Sequence, residues 1–398
     1  MKFRPFWVLV HRYTGLGMTL FLVVIGLTGS LLAFYKDLDR AINPALYVDA
    51  HGRAPLDFAV LIKKASERVE PEADVQSVWL DVEAVEFSIS PRSNVQTGQS
   101  VELNYDKLIL DPYSGLELGR RRWGAISEGV TNLMPFINKL HFNLALEDVG
   151  MWILGITAFI WTIDCFVGFY LTLPAKIFVA HNTVSTISTS YWQRWRRAWV
   201  IKWQGSSFRI NYDLHRAGGL WVWIALLIFA WSSVYMNLGN TVYKKVMQSV
   251  SEYHQPYIDI QDLPEPLHHP AINLTEAYRL GHQAMAQAAV EHEFQIETPV
   301  GLWIDHAKGF YVYCVRSSLD IQDRGGQTRI VIDANSGQQK MLLLPTAQYN
   351  GNTVTSWLMA LHMANVFGLP YKLFVCVLGL IIVMLSVTGV VIWLKKRR

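Results

Sequence analysis

Four long apolar stretches divide the chain into two halves with the same order of segments. The stretches cover Trp7–Tyr35, Met151–Leu173, Leu214–Met236 and Leu373–Leu394. Each can cross a hydrocarbon core, which takes about 20 helical residues. Because lipid offers the backbone no hydrogen-bond partner, we predict that all four are transmembrane helices. The first is too long for a signal peptide and shows no clear cleavage site, so we expect it to be retained.

A longer polar segment separates the two apolar stretches of each half, and both segments combine helical with alternating patterns. Helical spacing covers residues 56–69 in the first segment and Leu274–Val290 in the second. Alternation of apolar and polar residues, which is typical of strands, covers Ser77–Leu80, Ala84–Ser90, Ser100–Leu110, Val300–Asp305, Gly309–Val315 and Thr328–Asp333. Each segment is therefore predicted to be one helix packed on a small antiparallel sheet.

These patterns predict an α+β membrane protein with four transmembrane helices in two parallel repeats and two external helix-on-antiparallel-sheet domains. A short amphipathic segment before the second and the fourth span is predicted to lie at the membrane interface. The predicted boundaries are transmembrane helices at 1–36, 148–174, 214–238 and 369–394, external domains at 37–126 and 239–350, interfacial helices at 127–147 and 351–368, a cytoplasmic loop at 175–213 and a cytoplasmic tail at 395–398.

Basic residues near the ends of the spans predict the orientation of the chain. They cluster at the N-terminus, in the loop between the second and third spans, and at the C-terminus: Lys2, Arg4, Arg12, Lys176, Arg194, Arg196, Arg197, Lys202, Arg209 and Lys395–Arg398. We therefore expect both termini and the middle loop to face the cytoplasm. Arg120, Arg121 and Arg122 break the trend, but they lie in a long domain where the rule has little force. These flanks beside membrane lipid account for the net charge of +3, so no nucleic-acid partner is expected.

The composition places the chain among membrane proteins and limits the cofactor chemistry. With 51% apolar and 17% charged residues, it is more apolar than a typical soluble protein. Of its three cysteines, only Cys314 lies outside the predicted spans, so the external domains are expected to fold on their own hydrophobic cores. No Cys-x-x-Cys-His motif occurs, which excludes covalent attachment of a c-type haem through that motif.

Four histidines form two matched sets at fixed offsets along the chain. His11 and His215 open the first and third apolar stretches and lie 204 positions apart. His141 and His362 precede the second and fourth stretches and lie 221 positions apart. Further residues repeat at the same offsets, namely Arg12 with Arg216, Gly15 with Gly219, and Gly168 with Gly389. Two histidines at each of two membrane levels form a ligand set for two cofactors.

Two short segments, one in each external domain, share a turn sequence. They are Ile109-Leu110-Asp111-Pro112-Tyr113-Ser114-Gly115 and Val331-Ile332-Asp333-Ala334-Asn335-Ser336-Gly337. Both resemble the closing hairpin of PepSY domains. With the paired His-Arg spans, nearly the whole chain resembles the PepSY-associated transmembrane family, including its FoxB-type siderophore (ferrioxamine-like) iron reductases. The resemblance implies a haem-containing reductase of the bacterial inner membrane that acts on ferric siderophores in the periplasm.

The inner pair, His11 and His215, is predicted to supply both axial ligands of one haem b. Gly15 and Gly219 lie four residues after these histidines, on the same helix face, and leave room for a flat porphyrin near the backbone. Two imidazoles give a six-coordinate iron with no open position for oxygen.

Arg12 and Arg216, which directly follow the inner histidines, are predicted to reach the propionates of that haem. The alternative is that histidine and arginine only extend toward the membrane surface, where both are common. The repeated glycine four residues further on favours ligation.

The outer pair, His141 and His362, is predicted to hold a second non-covalent haem b from helices at the external interface. Residues 148–150 and 368–370 interrupt the helical pattern between these histidines and the spans. A continuous helix from His141 to the cytoplasmic end would be about 50 Å long, which is too long to span directly. The alternative is an amphipathic anchor whose histidine only faces lipid headgroups.

The working hypothesis is electron transfer from the inner to the outer haem and then to a ferric siderophore, which releases Fe(II) for uptake. No Gly-x-Gly-x-x-Gly fingerprint follows a strand, so the electrons are expected from a membrane quinol or a cytoplasmic reductase. Four tryptophans of the middle loop are either a docking surface for this donor or membrane-interface residues: Trp192, Trp195, Trp199 and Trp203. The alternatives are a non-enzymatic, regulatory membrane protein that binds a peptide, and a diheme reductase of copper or a quinone.

Two features depart from the resemblance. The cytoplasmic loop is long and aromatic, and Asp164 lies deep in the second span. A carboxylate there costs about 2.5–3.5 kcal/mol on insertion scales. A proton path, an influence on the haem and a hydrogen bond to a neighbouring helix remain open for Asp164.

Overall fold

The computed structural model describes residues 3–69, 71, 73–92, 102–175 and 190–397. Several sequence predictions fall outside these residues, namely the basic flanks at Lys2, Lys176 and Arg398 and the start of the predicted strand Ser100–Leu110.

Among the described residues, three helices are long and apolar enough to cross a membrane: α1 (Phe3–Leu32), α5 (Glu147–Thr172) and α12 (Gly368–Arg397). The predicted third span, Leu214–Met236, is instead two helices, α7 (Ser207–Trp221) and α8 (Trp223–Leu238). A five-residue π-helical segment and α9 (Lys244–Val250) continue α8, and the pair that meets at Val222 is bent by 69°. The described residues therefore contain three candidate spans by length and composition, or four if the bent pair is counted as one.

Two small residues bring α1 and α12 into backbone contact. A Cβ atom on Gly26 would lie 2.8 Å from the carbonyl oxygen of Gly379, and one on Gly379 would overlap Ser30 and the Gly26 carbonyl. The Ser30 hydroxyl donates to the Cys376 carbonyl at 2.8 Å. Helices in lipid associate through such close packing of small residues rather than through a hydrophobic driving force. This contact fixes the first span of one half against the last span of the other.

Valine at position 379 is expected to destabilise the protein by about 1–3 kcal/mol, the usual cost of overpacking a tight contact. The added methyl groups would push α12 away from the Gly26 carbonyl, which cannot rotate out of the way. Thermal unfolding in detergent should show a lower midpoint for Gly379→Val than for Leu380→Val, because Leu380 is half-exposed on the outside of the bundle. Equal midpoints for the two variants would contradict the described contact.

The two segments predicted to be external form one continuous antiparallel sheet of eight strands, whereas two separate small sheets were predicted. The strands are β1 (Ala73–Leu80), β2 (Val85–Pro91), β3 (Lys107–Leu110), β4 (Glu117–Arg121), β5 (Ile296–Asp305), β6 (Phe310–Ser317), β7 (Thr328–Asp333) and β8 (Gln339–Leu343), in the order β4-β3-β2-β1-β5-β6-β7-β8. β1 pairs with β5 through Ser77–Trp303, Val78–Leu302 and Trp79–Gly301. Each half thus covers a strand edge that its partner would leave unpaired.

Helices α3 (Phe58–Ser66) and α10 (Leu274–Glu291) cover one face of this sheet and share one hydrophobic core with both halves. Each begins at a capping side chain, since Asp57 accepts from the Ala59 amide at 2.8 Å and Asn273 from the Glu276 amide at 2.9 Å. The predicted alternation is visible in β2, where Val85, Phe87 and Ile89 are the buried residues. Phe58 of α3 stacks on Tyr278 of α10 with ring centroids 4.3 Å apart.

The predicted turn is present in both halves with the same hydrogen bonds. Asp111 accepts from the amide of Tyr113 at 2.7 Å and from the Ser114 hydroxyl at 2.7 Å. Asp333 accepts from the amide of Asn335 at 3.0 Å and from the Ser336 hydroxyl at 3.0 Å. The glycine that ends each turn has a positive φ of 66° or 74°, which any other residue would adopt only with strain.

Candidate functional site

The inner histidines face each other across the boundary between the two halves. His11 lies on α1 and His215 on α7, and their ring centroids are 6.0 Å apart with an angle of 59° between the planes. Both line a cavity of about 410 Å³. The cavity opens at the end of the bundle that carries both chain termini, since Arg4 and Lys396 also line it.

Each inner imidazole is oriented by a hydrogen bond from Nδ1 to the second span of its own half. His11 Nδ1 lies 2.9 Å from both carboxylate oxygens of Asp164 on α5. His215 Nδ1 lies 3.0 Å from the Leu385 carbonyl oxygen and 3.1 Å from the Thr388 hydroxyl, both on α12. Because a carboxylate and a carbonyl only accept, Nδ1 carries the proton and Nε2 keeps the lone pair that a metal would need.

Four glycines form the walls of this cavity. A Cβ atom on Gly168 would lie 3.5 Å from Cε1 of His11, and one on Gly389 would lie 3.3 Å from Cε1 of His215. Gly15 faces open space, and a Cβ on Gly219 would meet only a leucine methyl group at 3.8 Å. The predicted glycines therefore border the free volume beside the rings, which is the shape that a flat macrocycle requires.

The two predicted arginines border the same cavity as the inner histidines. Arg12 and Arg216 both line it. Arg216 donates to the Arg197 carbonyl at 2.7 Å and pairs with the buried Asp213 at 2.7 Å. Its Nε is buried and has no hydrogen-bond partner among the described residues. An acidic group in the cavity, such as a propionate, would satisfy this donor.

The outer histidines lie on separate short helices, as predicted, but the breaks lie at residues 144–146 and 363–367, because residues 148–150 and 368–370 already belong to α5 and α12. His141 is near the end of α4 (Leu133–Asn143), and His362 ends α11 (Asn350–His362). Residues with positive φ separate these helices from the spans that follow, at Leu144, Ala145 and Glu147 in one half and at Ala364, Phe367 and Gly368 in the other. The ring centroids of the two histidines are 6.3 Å apart, at an angle of 62°.

Hydroxyl groups orient both outer imidazoles. His141 Nδ1 lies 2.9 Å from the hydroxyl of Thr28 on α1, and His362 Nδ1 lies 2.7 Å from that of Ser232 on α8. Each hydroxyl also donates to a carbonyl of its own helix, Thr28 to Val24 at 2.7 Å and Ser232 to Phe229 at 3.1 Å. The hydroxyls therefore accept from Nδ1, and Nε2 is again left with its lone pair.

Both ring separations suit one metal ion between two imidazoles. A metal about 2.0–2.1 Å from each nitrogen would place the ring centroids about 6.3 Å apart if both Nε2 atoms point inward. The observed separations are 6.0 and 6.3 Å. Within the described part of the chain, no group of three or more His, Cys, Asp or Glu side chains could hold a bare metal ion. The donor sets thus fit a cofactor that brings its own equatorial ligands.

Sequence reasoning singled out Asp164, whose hydrogen bond to a neighbouring helix is that to His11, but it missed the other residues that orient the imidazoles, although one signal was available. Thr28 and Ser232 lie 204 positions apart, which is the offset between His11 and His215. Asp164 and Leu385 lie 221 positions apart, which is the offset between His141 and His362. The second signal is hidden, because an aspartate side chain in one half is replaced by a backbone carbonyl in the other.

Aromatic side chains of the middle loop extend to the wall of the inner cavity. Trp192 and Trp203 are about two-thirds exposed. Trp195 lies between Trp192 and Phe169, at 5.7 and 6.1 Å, and Phe169 is 4.7 Å from Trp223 at the cavity. This arrangement is compatible with either role predicted for the tryptophans. His181 of the same loop lies outside the described residues.

Comparison with known proteins identifies the family. Among curated proteins, none matches the chain significantly. The profile of the PepSY-associated TM region matches residues 8–396, which include all four histidines and both halves of the sheet. The chain therefore belongs to the PepSY-associated transmembrane family.

Proposed function

We propose that the protein is a diheme b-type oxidoreductase that passes electrons across the bacterial inner membrane to a ferric siderophore. His11 and His215 would hold the inner haem, and His141 and His362 the outer one. The observation that carries the proposal is the arrangement of these imidazoles in two facing pairs 6.0 and 6.3 Å apart. In both pairs Nδ1 is already used in a hydrogen bond.

The surrounding residues have roles that follow from their contacts. Gly168 and Gly389 give the inner imidazoles their positions, while Gly15 and Gly219 leave space beside them. Arg12 and the unpartnered Nε of Arg216 would bind the propionates. When bound, the two haems supply one-electron transfer between the two faces of the membrane. Buried Thr28 and Ser232 keep the outer imidazoles in the tautomer that such binding requires.

The direction of transfer follows from the predicted orientation. Basic residues at both termini and in the middle loop favour a cytoplasmic location for the inner pair. The sheet lies at the opposite end and would face the periplasm. A membrane quinol or a cytoplasmic reductase would donate the electrons, one for each Fe(III) that becomes Fe(II). Reduction weakens the hold of hard oxygen ligands on the iron, so the siderophore releases it.

The test is the haem content and the reactivity of the purified protein. We expect two haems per chain with a Soret band, and reoxidation of the reduced protein when a ferric trihydroxamate is added. Absence of haem would overturn the proposal and favour a non-enzymatic membrane protein. If two haems are present but only copper or a quinone reoxidises them, the siderophore assignment is wrong.

A further inference from the structure

One of the four imidazoles differs from the others in the group that accepts its Nδ1 proton. His11 donates to a carboxylate, whereas His215 donates to a carbonyl and a hydroxyl, and the outer pair donates to hydroxyls. Asp164 is only 8% exposed, and both of its carboxylate oxygens lie 2.9 Å from His11 Nδ1. The Thr14 hydroxyl donates to the same carboxylate at 3.1 Å.

Orientation of the ring does not require this carboxylate. The two halves hold their inner histidines in the same way, on the first span and against a glycine of the second. At the position of Asp164 in the second half, the neutral carbonyl of Leu385 accepts from His215 at 3.0 Å. A neutral acceptor therefore suffices to fix tautomer and direction. What Asp164 adds is a negative charge, in a span where charge is costly.

A carboxylate behind an imidazole ligand raises the basicity of the ligand nitrogen, because it stabilises positive charge on the ring. A more basic ligand stabilises the more positive oxidation state of the metal. Four cations line the cavity and act in the opposite sense, namely Arg4, Arg12, Arg216 and Lys396, and Arg216 is paired with the carboxylate of Asp213. Unlike Asp164, none of them is described in contact with the ring of His11. Among the described residues, only the inner pair has a carboxylate hydrogen-bonded to one of the four imidazole rings.

We propose that Asp164 is a positioning residue that acts through His11. It gives the inner haem a lower reduction potential than the outer haem. The resulting difference would make electron transfer favourable from the cytoplasmic side to the external side. This inference rests on the proposed function, because it requires both haems. It assigns the direction of transfer to one side chain that the other half of the protein lacks.

The experiment is a redox titration, monitored by absorbance, of a variant that retains only the inner haem. The double variant His141→Ala/His362→Ala is this variant. In this variant, Asp164→Asn keeps an oxygen acceptor for His11 but removes the negative charge. We expect the one-electron equilibrium of the inner haem to shift toward the reduced form by about tenfold, which raises its reduction potential by about 59 mV. The matched control Thr388→Val removes a neutral acceptor from His215 but leaves the Leu385 carbonyl, so we expect a shift several times smaller.

A second measurement avoids any change at Asp164. The unmodified protein should show two reduction potentials. The reduction potential of the variant that retains only the inner haem should match the lower of the two. The inference is overturned if the inner haem has the higher potential, if Asp164→Asn retains haem without a rise in potential, or if its only effect is loss of haem. Absence of haem from the unmodified protein would instead defeat the proposed function, so the two failures are distinguishable.

Discussion

Replacing His11 or His215 by alanine is expected to lower the haem content from two to one per chain. The two rings face each other at 6.0 Å, so loss of either leaves a single imidazole in the inner cavity. The outer pair should keep its haem, because separate helices carry it. His141→Ala and His362→Ala should give the same stoichiometry through loss of the other haem. Extraction and absorbance of the haem measure this directly.

Combined variants make the expectation sharper. His11→Ala/His215→Ala should lose no more haem than either single variant, since residues that act as one unit are not additive. His11→Ala/His141→Ala should lose both haems. His282→Ala is the control, because this histidine is exposed on α10 of the external sheet. Four small and independent losses would show that the histidines do not act in pairs.

Replacing Arg121 by methionine is expected to destabilise the protein by about 3–5 kcal/mol, the usual cost of removing one partner from a buried ion pair. Arg121 is 6% exposed and lies 3.0 Å from the fully buried Asp39 and 3.2 Å from Glu86. Asp39 belongs to α2 (Tyr35–Ile42), which follows the first span, so the pair fastens that span to β4. The midpoint of thermal unfolding in detergent measures the loss.

The neighbouring arginine provides the control for this prediction. Arg122 is half-exposed and its pair with Glu128 is 3.9 Å long, so Arg122→Met should change stability by less than about 1 kcal/mol. Burial opposes ionisation of Glu86, but Lys107 and Arg121 outweigh it and keep the pKa of its carboxyl below the usual value. The stability that the ionised Glu86 carboxylate contributes is therefore present above about pH 4.3. It is lost as the pH falls through the lower pKa that Glu86 has in the folded protein. If both variants unfold at the same temperature, the buried pair does not have this role.

The helices and the histidine pairs follow from local signals in the sequence. Long apolar stretches identify α1, α5 and α12, and the repeated offset of 204 positions identifies His11 and His215 as a pair. The break at Val222 was not predicted, because hydropathy reports only that a segment is apolar. Gly218, Gly219 and Val222, which form helices less readily than alanine, precede or lie at the bend.

Contacts between distant segments did not follow from periodicity. Alternation indicates that Val78 and Leu302 lie in strands with one buried face, but it does not indicate that β1 and β5 pair with each other. The position of Arg121 illustrates the same limit, since three consecutive arginines look exposed until a second element covers one of them. Asp164 was noticed for its cost in lipid, yet its partner His11 lies 153 positions away.

The exchange of partners between halves also has a consequence for assembly. Each facing pair takes one histidine from each half, so neither half contains a complete pair. During synthesis, His11 and His141 enter the membrane with their hydroxyl or carboxylate neighbours but without the opposing imidazole. The inner pair is complete once the ribosome has passed His215, and the outer pair only once it has passed His362. Capture of the outer cofactor would thus come later than capture of the inner one, and a chain truncated between His215 and His362 would hold at most the inner cofactor.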